Sequence, residues 1–203
     1  MQSTSKWTKE QCNLDDPRRS NSLCQSVPIK PRIDALLRKI DVQIVKWDHI
    51  LQELKLIDDK LLKNRIVSIK ENNSQYSMVL SMDIAHSRRI IRTLLISKIA
   101  FEILKNKLLG ISNFEGIVIL LAPAMAVVKN IRACLIPSLP ESDDELGIIS
   151  ELLGCILIDA GQVGASTINF EIANEEAVHV LDEASLSAEQ HIKKSFTDIP
   201  TYQ

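Results

Sequence analysis

Apolar positions fall into two long trains near the start of the chain. Ile33, Leu37, Ile40, Ile44, Trp47, Leu51 and Leu54 advance by alternating fours and threes, the period that keeps one helical seam against a partner helix. Asp58 stands where the next seam residue is due, and the apolar set re-phases through Leu61, Leu62, Ile66 and Ile69. This predicts a continuing helix whose seam is interrupted or shifted by part of a turn. The polar run Lys70-Glu71-Asn72-Asn73-Ser74-Gln75 follows. Its two asparagines are poor helix formers that accept left-handed backbone, so a turn is predicted there. Tyr76, Leu80, Ile84, Ile91, Leu95, Ile99 and Ile103 then restore a helical apolar face. A helix over 32–70 would be about 57 Å long at 1.5 Å per residue, too long for one small core. The pattern over 32–109 therefore predicts an extended helical hairpin, and its first train is also a candidate assembly seam.

Beyond the hairpin the periods are shorter. Gly110 and Ser112-Asn113 break the second helix, and a third is predicted over 116–135, with Pro123 kinking it or marking its first turn. Ile136-Pro137-Ser138-Leu139-Pro140 reads as a linker. Acidic residues follow directly, with Ser142 and Glu145 in capping-box spacing, and predict a fourth helix over 143–158. Gly161 and Gly164 mark a hinge, 166–172 has extended character, and 174–194 predicts an acidic helix with Val178, Leu181, Leu186 and Ile192 as its thin apolar side. Such a helix should dock on the basic hairpin or on a partner, or stay partly disordered until one arrives. The first 29 residues, rich in Ser, Asn, Gln and charge without apolar period, read as a flexible leader. The chain thus divides into a leader (1–29), a helical core (30–160), and a hinge with an acidic carboxyl-terminal helix (161–203).

Composition supports an all-α class: 45% of residues are apolar but only 4% aromatic, the balance of helix-to-helix packing. The net charge of −2 hides a split. Residues 30–107 hold sixteen Lys or Arg against nine Asp or Glu, whereas 137–200 hold thirteen acids against two lysines. A basic hairpin fits an anionic surface, and an acidic tail can compete for it intramolecularly. Arg32, Arg38, Lys39, Lys46, Arg88, Arg89 and Arg92 are the candidate membrane-binding cations, each worth about 1 kcal/mol near an anionic bilayer. Trp7, between Lys6 and Lys9, is a candidate interfacial anchor. Duplex nucleic acid would attract the same charge, but no reading helix or zinc knuckle accompanies it.

No chemistry is assignable. The four cysteines show no CxxC spacing, and Cys134 and Cys155 sit in apolar helical runs where Cys acts as a small hydrophobe, so no disulfide framework is expected. The four histidines are scattered without metal-ligand spacing. No Gly-rich phosphate loop or activated nucleophile context occurs. The reading is a protein that is not an enzyme, with no cofactor, no metal and no small-molecule substrate. The longest apolar run, 117–128, is short of the roughly 20 residues a bilayer span needs and holds Pro123. The first 26 residues lack the apolar centre of a signal peptide, and a cytoplasmic, peripherally membrane-bound protein is expected.

Three stretches resemble the ESCRT-III family of membrane-remodelling proteins, specifically its archaeal cell-division branch, CdvB. They are KPRIDALLRKIDVQI from Lys30, LAPAMAVVKNIRACLIPSLPESDDELGIISELLGCIL from Leu121, and TINFEIANEEAVHVLDEASLSAEQ from Thr167. The middle stretch is the most specific. The resemblance implies an ESCRT-III-like basic hairpin followed by shorter helices, switching from a closed monomer to an open form that polymerises on anionic membrane and constricts it at the division site. It implies as partners further copies and paralogues, an AAA ATPase of the CdvC type, and a recruiting scaffold of the CdvA type. The tail matches neither of the family's ATPase-binding motifs, and no winged-helix extension is apparent. A soluble helical adaptor, or a nucleic-acid-binding helical protein, are the alternatives from the residues alone.

Overall fold

The computed structural model describes residues 29–110, 114–162 and 170–196. These form five α-helices: α1 (Ile29–Lys70), α2 (Ser74–Leu109), α3 (Phe114–Leu135), α4 (Asp143–Gln162) and α5 (Phe170–Ser195), with a 3-10 turn Pro140–Ser142 ahead of α4. Pro31 lies in the first turn of α1, where a missing N–H breaks no helical bond. Pro123 lies inside α3 rather than ending it. The hinge expected at 160–166 is helical as far as Gln162, where α4 ends, and its remainder, like Trp7 of the leader, lies outside the described residues; where an extended stretch to 172 was expected, α5 is already helical from Phe170.

The reversal between α1 and α2 is made by Asn72 and Asn73. Asn72 holds a positive φ of 57°, which Asn tolerates because its short polar side chain bonds locally. Asn73 caps α2, its Oδ1 accepting from the Tyr76 amide at 3.2 Å. Ser68 Oγ donates to the Asn73 carbonyl at 2.9 Å and ties the turn to the end of α1. The helices then run antiparallel in one register: Asp41 meets Lys105, Asp48 meets Lys98, Asp58 meets Arg88, and Arg65 meets Ser81.

The seam of α1 keeps its phase throughout. Ile33, Leu36, Ile40, Gln43, Trp47, Leu51, Asp58, Arg65 and Ser68 are all buried, so the shift expected at Asp58 does not occur and Ile66 is exposed instead. What changes is chemistry. In the half nearer the chain start, Trp47 and Phe101 pack with ring centroids 4.9 Å apart among Leu36, Ile40 and Leu94. In the distal half the seam is partly polar. Asp58, 1% exposed, takes a bidentate pair of bonds from Arg88 Nε and NH2 at 2.9 and 3.0 Å, and Arg65 Nε donates to Ser81 Oγ at 2.6 Å.

The shorter helices pack on the hairpin from the chain-start end to about the level of Arg88 and Asp58. α4 packs on α1, α3 on α2 and α4, and α5 on α2 and α3, closing one core from Ile33 to Ala184. α5 is held by small side chains: Ala173, Ala177, Val180, Ala184 and Ala188 are buried. This corrects the apolar side read from the sequence, since Val178 and Leu186 point to solvent, 54% and 65% exposed. Cys134 is a free, exposed thiol. Cys155 is disulfide-bonded, so the expectation that it packs as a free small hydrophobe is corrected.

Candidate functional site on the basic hairpin

The candidate cations stand in different circumstances. Arg32 is buried and paired with Asp159 of α4. Arg38 is exposed, and Lys39 is half-buried beside the start of α4, where its charge acts on Glu145. Lys46 pairs with Glu145. Arg88 is committed to Asp58 and lies over the Phe196 ring, 5.3 Å from its centroid, just past the end of α5. Arg89 is exposed. Arg92 donates to Glu189 of α5 at 2.5 Å. By the hairpin register, Lys46 sits opposite Ala100 while Arg92 sits opposite Leu54, so the cations of α1 and those of α2 form two separate groups along the rod rather than one patch. Trp7 lies outside the described residues.

The candidate assembly seam lines the core of this conformation. Ile33, Ile40, Trp47 and Leu51 are buried, and Leu37, Ile44 and Leu54 are partly buried and packed against the same core. The acidic partners were not singled out by sequence reasoning. Asp159, Glu145 and Glu189 are each about 97 to 127 positions from their cations, and only the overall charge split announced them. The hydrogen bond from Lys46 holds the Glu145 carboxyl below the usual carboxylate range against the opposing effect of burial, helped by the charges of Lys46 and Lys39. Burial disfavours the charged form of Lys98, but the Asp48 hydrogen bond and the charges of Glu102 and Asp48 outweigh it and raise the amine above its ordinary value. At the α3–α4 corner, Arg132 donates to Asp143 at 2.5 Å, which lowers that carboxyl.

The hairpin's charge is thus arranged in two ways. Asp41, Asp48 and Asp58 neutralise cations within the hairpin, whereas α4 and α5 supply acids from outside it. Trp47 Nε1 donates to Ser142 Oγ at 3.4 Å, so the turn that starts α4 is anchored one residue from the Lys46–Glu145 pair. Among the described residues no cluster of three or more His, Cys, Asp or Glu could hold a metal ion, and no described helix is long and apolar enough to cross a membrane.

No family model and no solved structure matches the chain significantly. Two curated proteins of Sulfolobus acidocaldarius do. Cell division protein B1 is 29% identical over 170 residues, covering 83% of this chain and 76% of the relative. Cell division protein B is 22% identical over 176 residues, covering 87% and 67%. Similarity to these two cell division proteins over most of the chain, in helices assembled around a long antiparallel hairpin, supports the resemblance to the archaeal cell-division B (CdvB) branch of the ESCRT-III family.

Proposed function

We propose that this protein is a filament-forming, membrane-remodelling subunit of the ESCRT-III type in archaeal cell division, which polymerises on anionic membrane through its hairpin. The observation that carries the reading is that three hairpin cations, Arg32, Lys46 and Arg92, are paired with acids of α4 and α5. Those pairs support an acidic shield that lipid phosphates displace: an anionic surface competes for the same cations, and release of α4 and α5 uncovers both charge and the seam from Ile33 to Leu54. Arg38 and Arg89, already exposed, offer the first contact, and Trp7 would add an interfacial anchor. The partners are further copies and paralogous subunits, the membrane at the division site, an AAA ATPase of the CdvC type and a CdvA-type recruiting scaffold; the reading assigns no catalytic residue.

The test is co-sedimentation of the full chain with anionic and neutral vesicles, beside a duplex-DNA shift over a salt series and electron microscopy of the pelleted material. Salt-sensitive binding to anionic vesicles with polymers is expected. Binding to neither vesicles nor DNA would leave a soluble adaptor, and preferential DNA binding with a steep log–log salt dependence would make it a nucleic-acid-binding protein. Removing residues 170–203 should increase assembly; unchanged or weaker assembly would reject the shield.

A further inference from the structure

Cys155 lies on α4, half-buried and disulfide-bonded, whereas Cys134 is a free thiol. The chain has four cysteines, so the second sulfur of the bond belongs to Cys12 or Cys24 of the leader. The register of α4 on α1 decides between them. Arg32 pairs with Asp159 and Lys46 with Glu145, so the two helices run antiparallel and Cys155 stands level with Leu36. Ile29, where α1 begins, is seven residues back, about 10 Å along the axis; with helix axes about 9 Å apart, Cys155 is about 14 Å from Ile29. The five residues from Cys24 to Ile29 reach about 17 Å, enough to bring the two cysteines to the roughly 6 Å between Cα atoms that a disulfide needs. Cys12 has seventeen residues to close, about sixfold less favourable on the three-halves power of length. The side of α4 that carries Cys155 also has room for a covering segment. Ile148, Glu151, Cys155 and Ile158 step along it by three, four and three, and Ile148 and Ile158 are 38% and 63% exposed.

We infer that a disulfide between Cys24 and Cys155 is a redox latch, which ties the leader to α4 and holds α4 on the start of α1. Cytosolic disulfides are uncommon and, where they occur, are usually catalytic or redox-sensing; this chain carries no assigned catalytic group, which leaves sensing. While the bond is closed, α4 can leave α1 only by the length of the five-residue tether. Asp159 and Glu145 then stay near Arg32 and Lys46 at a roughly millimolar effective concentration, and pairs that break re-form. A dithiol opens the latch. One of its thiolates attacks a sulfur of the bond and breaks it, giving a mixed disulfide, and its second thiol displaces the protein. The dithiol is oxidised to a disulfide, and Cys24 and Cys155 take up two electrons and two protons as thiols. The inference rests on the proposed release of α4 and adds the condition under which that release is permitted.

The test equilibrates the full chain in glutathione buffers over a range of reduced-to-oxidised ratios, caps free thiols with N-ethylmaleimide, and identifies cross-linked peptides by mass spectrometry without reduction. A peptide joining Cys24 to Cys155, with Cys12 and Cys134 capped, is expected. Cys155 capped at every ratio, joined to Cys12, or joined to a second chain would each overturn the latch. Hydrogen–deuterium exchange then reads α4 in the oxidised protein. Dithiothreitol should speed exchange over 145–158 at least about fivefold in wild type and in Cys134→Ser, which keeps the bond. Cys24→Ser should exchange fast from the start and ignore the reductant. Wild-type exchange that ignores dithiothreitol, or Cys24→Ser that exchanges as slowly as oxidised wild type, would overturn the latch. Pelleting with anionic vesicles separates the membrane question, and binding should rise on reduction. If reduction frees α4 and vesicle binding does not rise, the membrane reading fails while the latch stands.

Discussion

Ala184→Leu probes how firmly α5 is held. The inward face of α5 buries four alanines and one valine. At about 0.8 kcal/mol per buried methyl-sized group, the alanines contribute about 3 kcal/mol and Val180 about 2 more, and the entropy of ordering the helix opposes this gain. α1, by contrast, buries Trp47 and several leucines and isoleucines completely. Ala184 is fully buried, so three extra carbons there must displace α5 or distort its neighbours, at about 1–3 kcal/mol. Because about 1.4 kcal/mol is tenfold in an equilibrium, the opening equilibrium of α5 should rise roughly 5- to 150-fold. Hydrogen–deuterium exchange read by peptide is the assay: amides over 173–190 should exchange faster by that factor, while those of α1 and α2 around Trp47 and Phe101 keep their protection. Leu186→Ala, at a solvent-facing position on the same helix, serves as the control and should leave exchange unchanged. Unaltered α5 exchange in Ala184→Leu, or an equal loss of protection in the hairpin, would refute the idea of a weakly held helix on an independently stable rod.

Three further outcomes follow from the ion pairs and the turn. Arg88→Ala strands the buried Asp58 carboxylate and should cost about 3 kcal/mol in urea unfolding, whereas Asp58→Leu combined with Arg88→Met should recover most of that loss. The Glu145 carboxyl is depressed in the folded state, so its contribution is present above its ordinary value of 4.5 and is lost as pH falls through the lower folded value. Being partly exposed, the pair contributes no more than about 1 kcal/mol; exchange at the start of α4 should rise between pH 5 and pH 3 (roughly), and less so in Glu145→Gln. Asn73→Ala removes the cap of α2 and should destabilise the hairpin by about 1 kcal/mol in thermal unfolding.

The rods and their turn were legible in the residues because period and turn chemistry are local. The alternation from Ile33 to Leu54 and the Asn72-Asn73 pair need no knowledge of distant segments. Asp58 was not legible as a seam residue, because its justification is Arg88, thirty positions away, and only the hairpin register shows that they meet. The inward face of α5 was misread for another reason. Search by hydrophobicity favours Val178 and Leu186, yet the four-residue and seven-residue spacing of Ala173, Ala177, Val180, Ala184 and Ala188 marks the side that allows close approach to α2 and α3. The charge split anticipated attraction between the two halves; it did not anticipate which cations remain open, since Arg38 and Arg89 differ from Lys46 and Arg92 only in what α4 and α5 bring beside them.

Trp47 gives the molecule an optical readout of its own state. Its indole is fully buried against Phe101 and reaches the turn ahead of α4, so departure of α4 would wet the ring and shift its emission to the red. The chain has one other tryptophan, Trp7; with Trp7→Phe, the fluorescence of a single side chain would report, in real time and without a label, when the rod is laid bare.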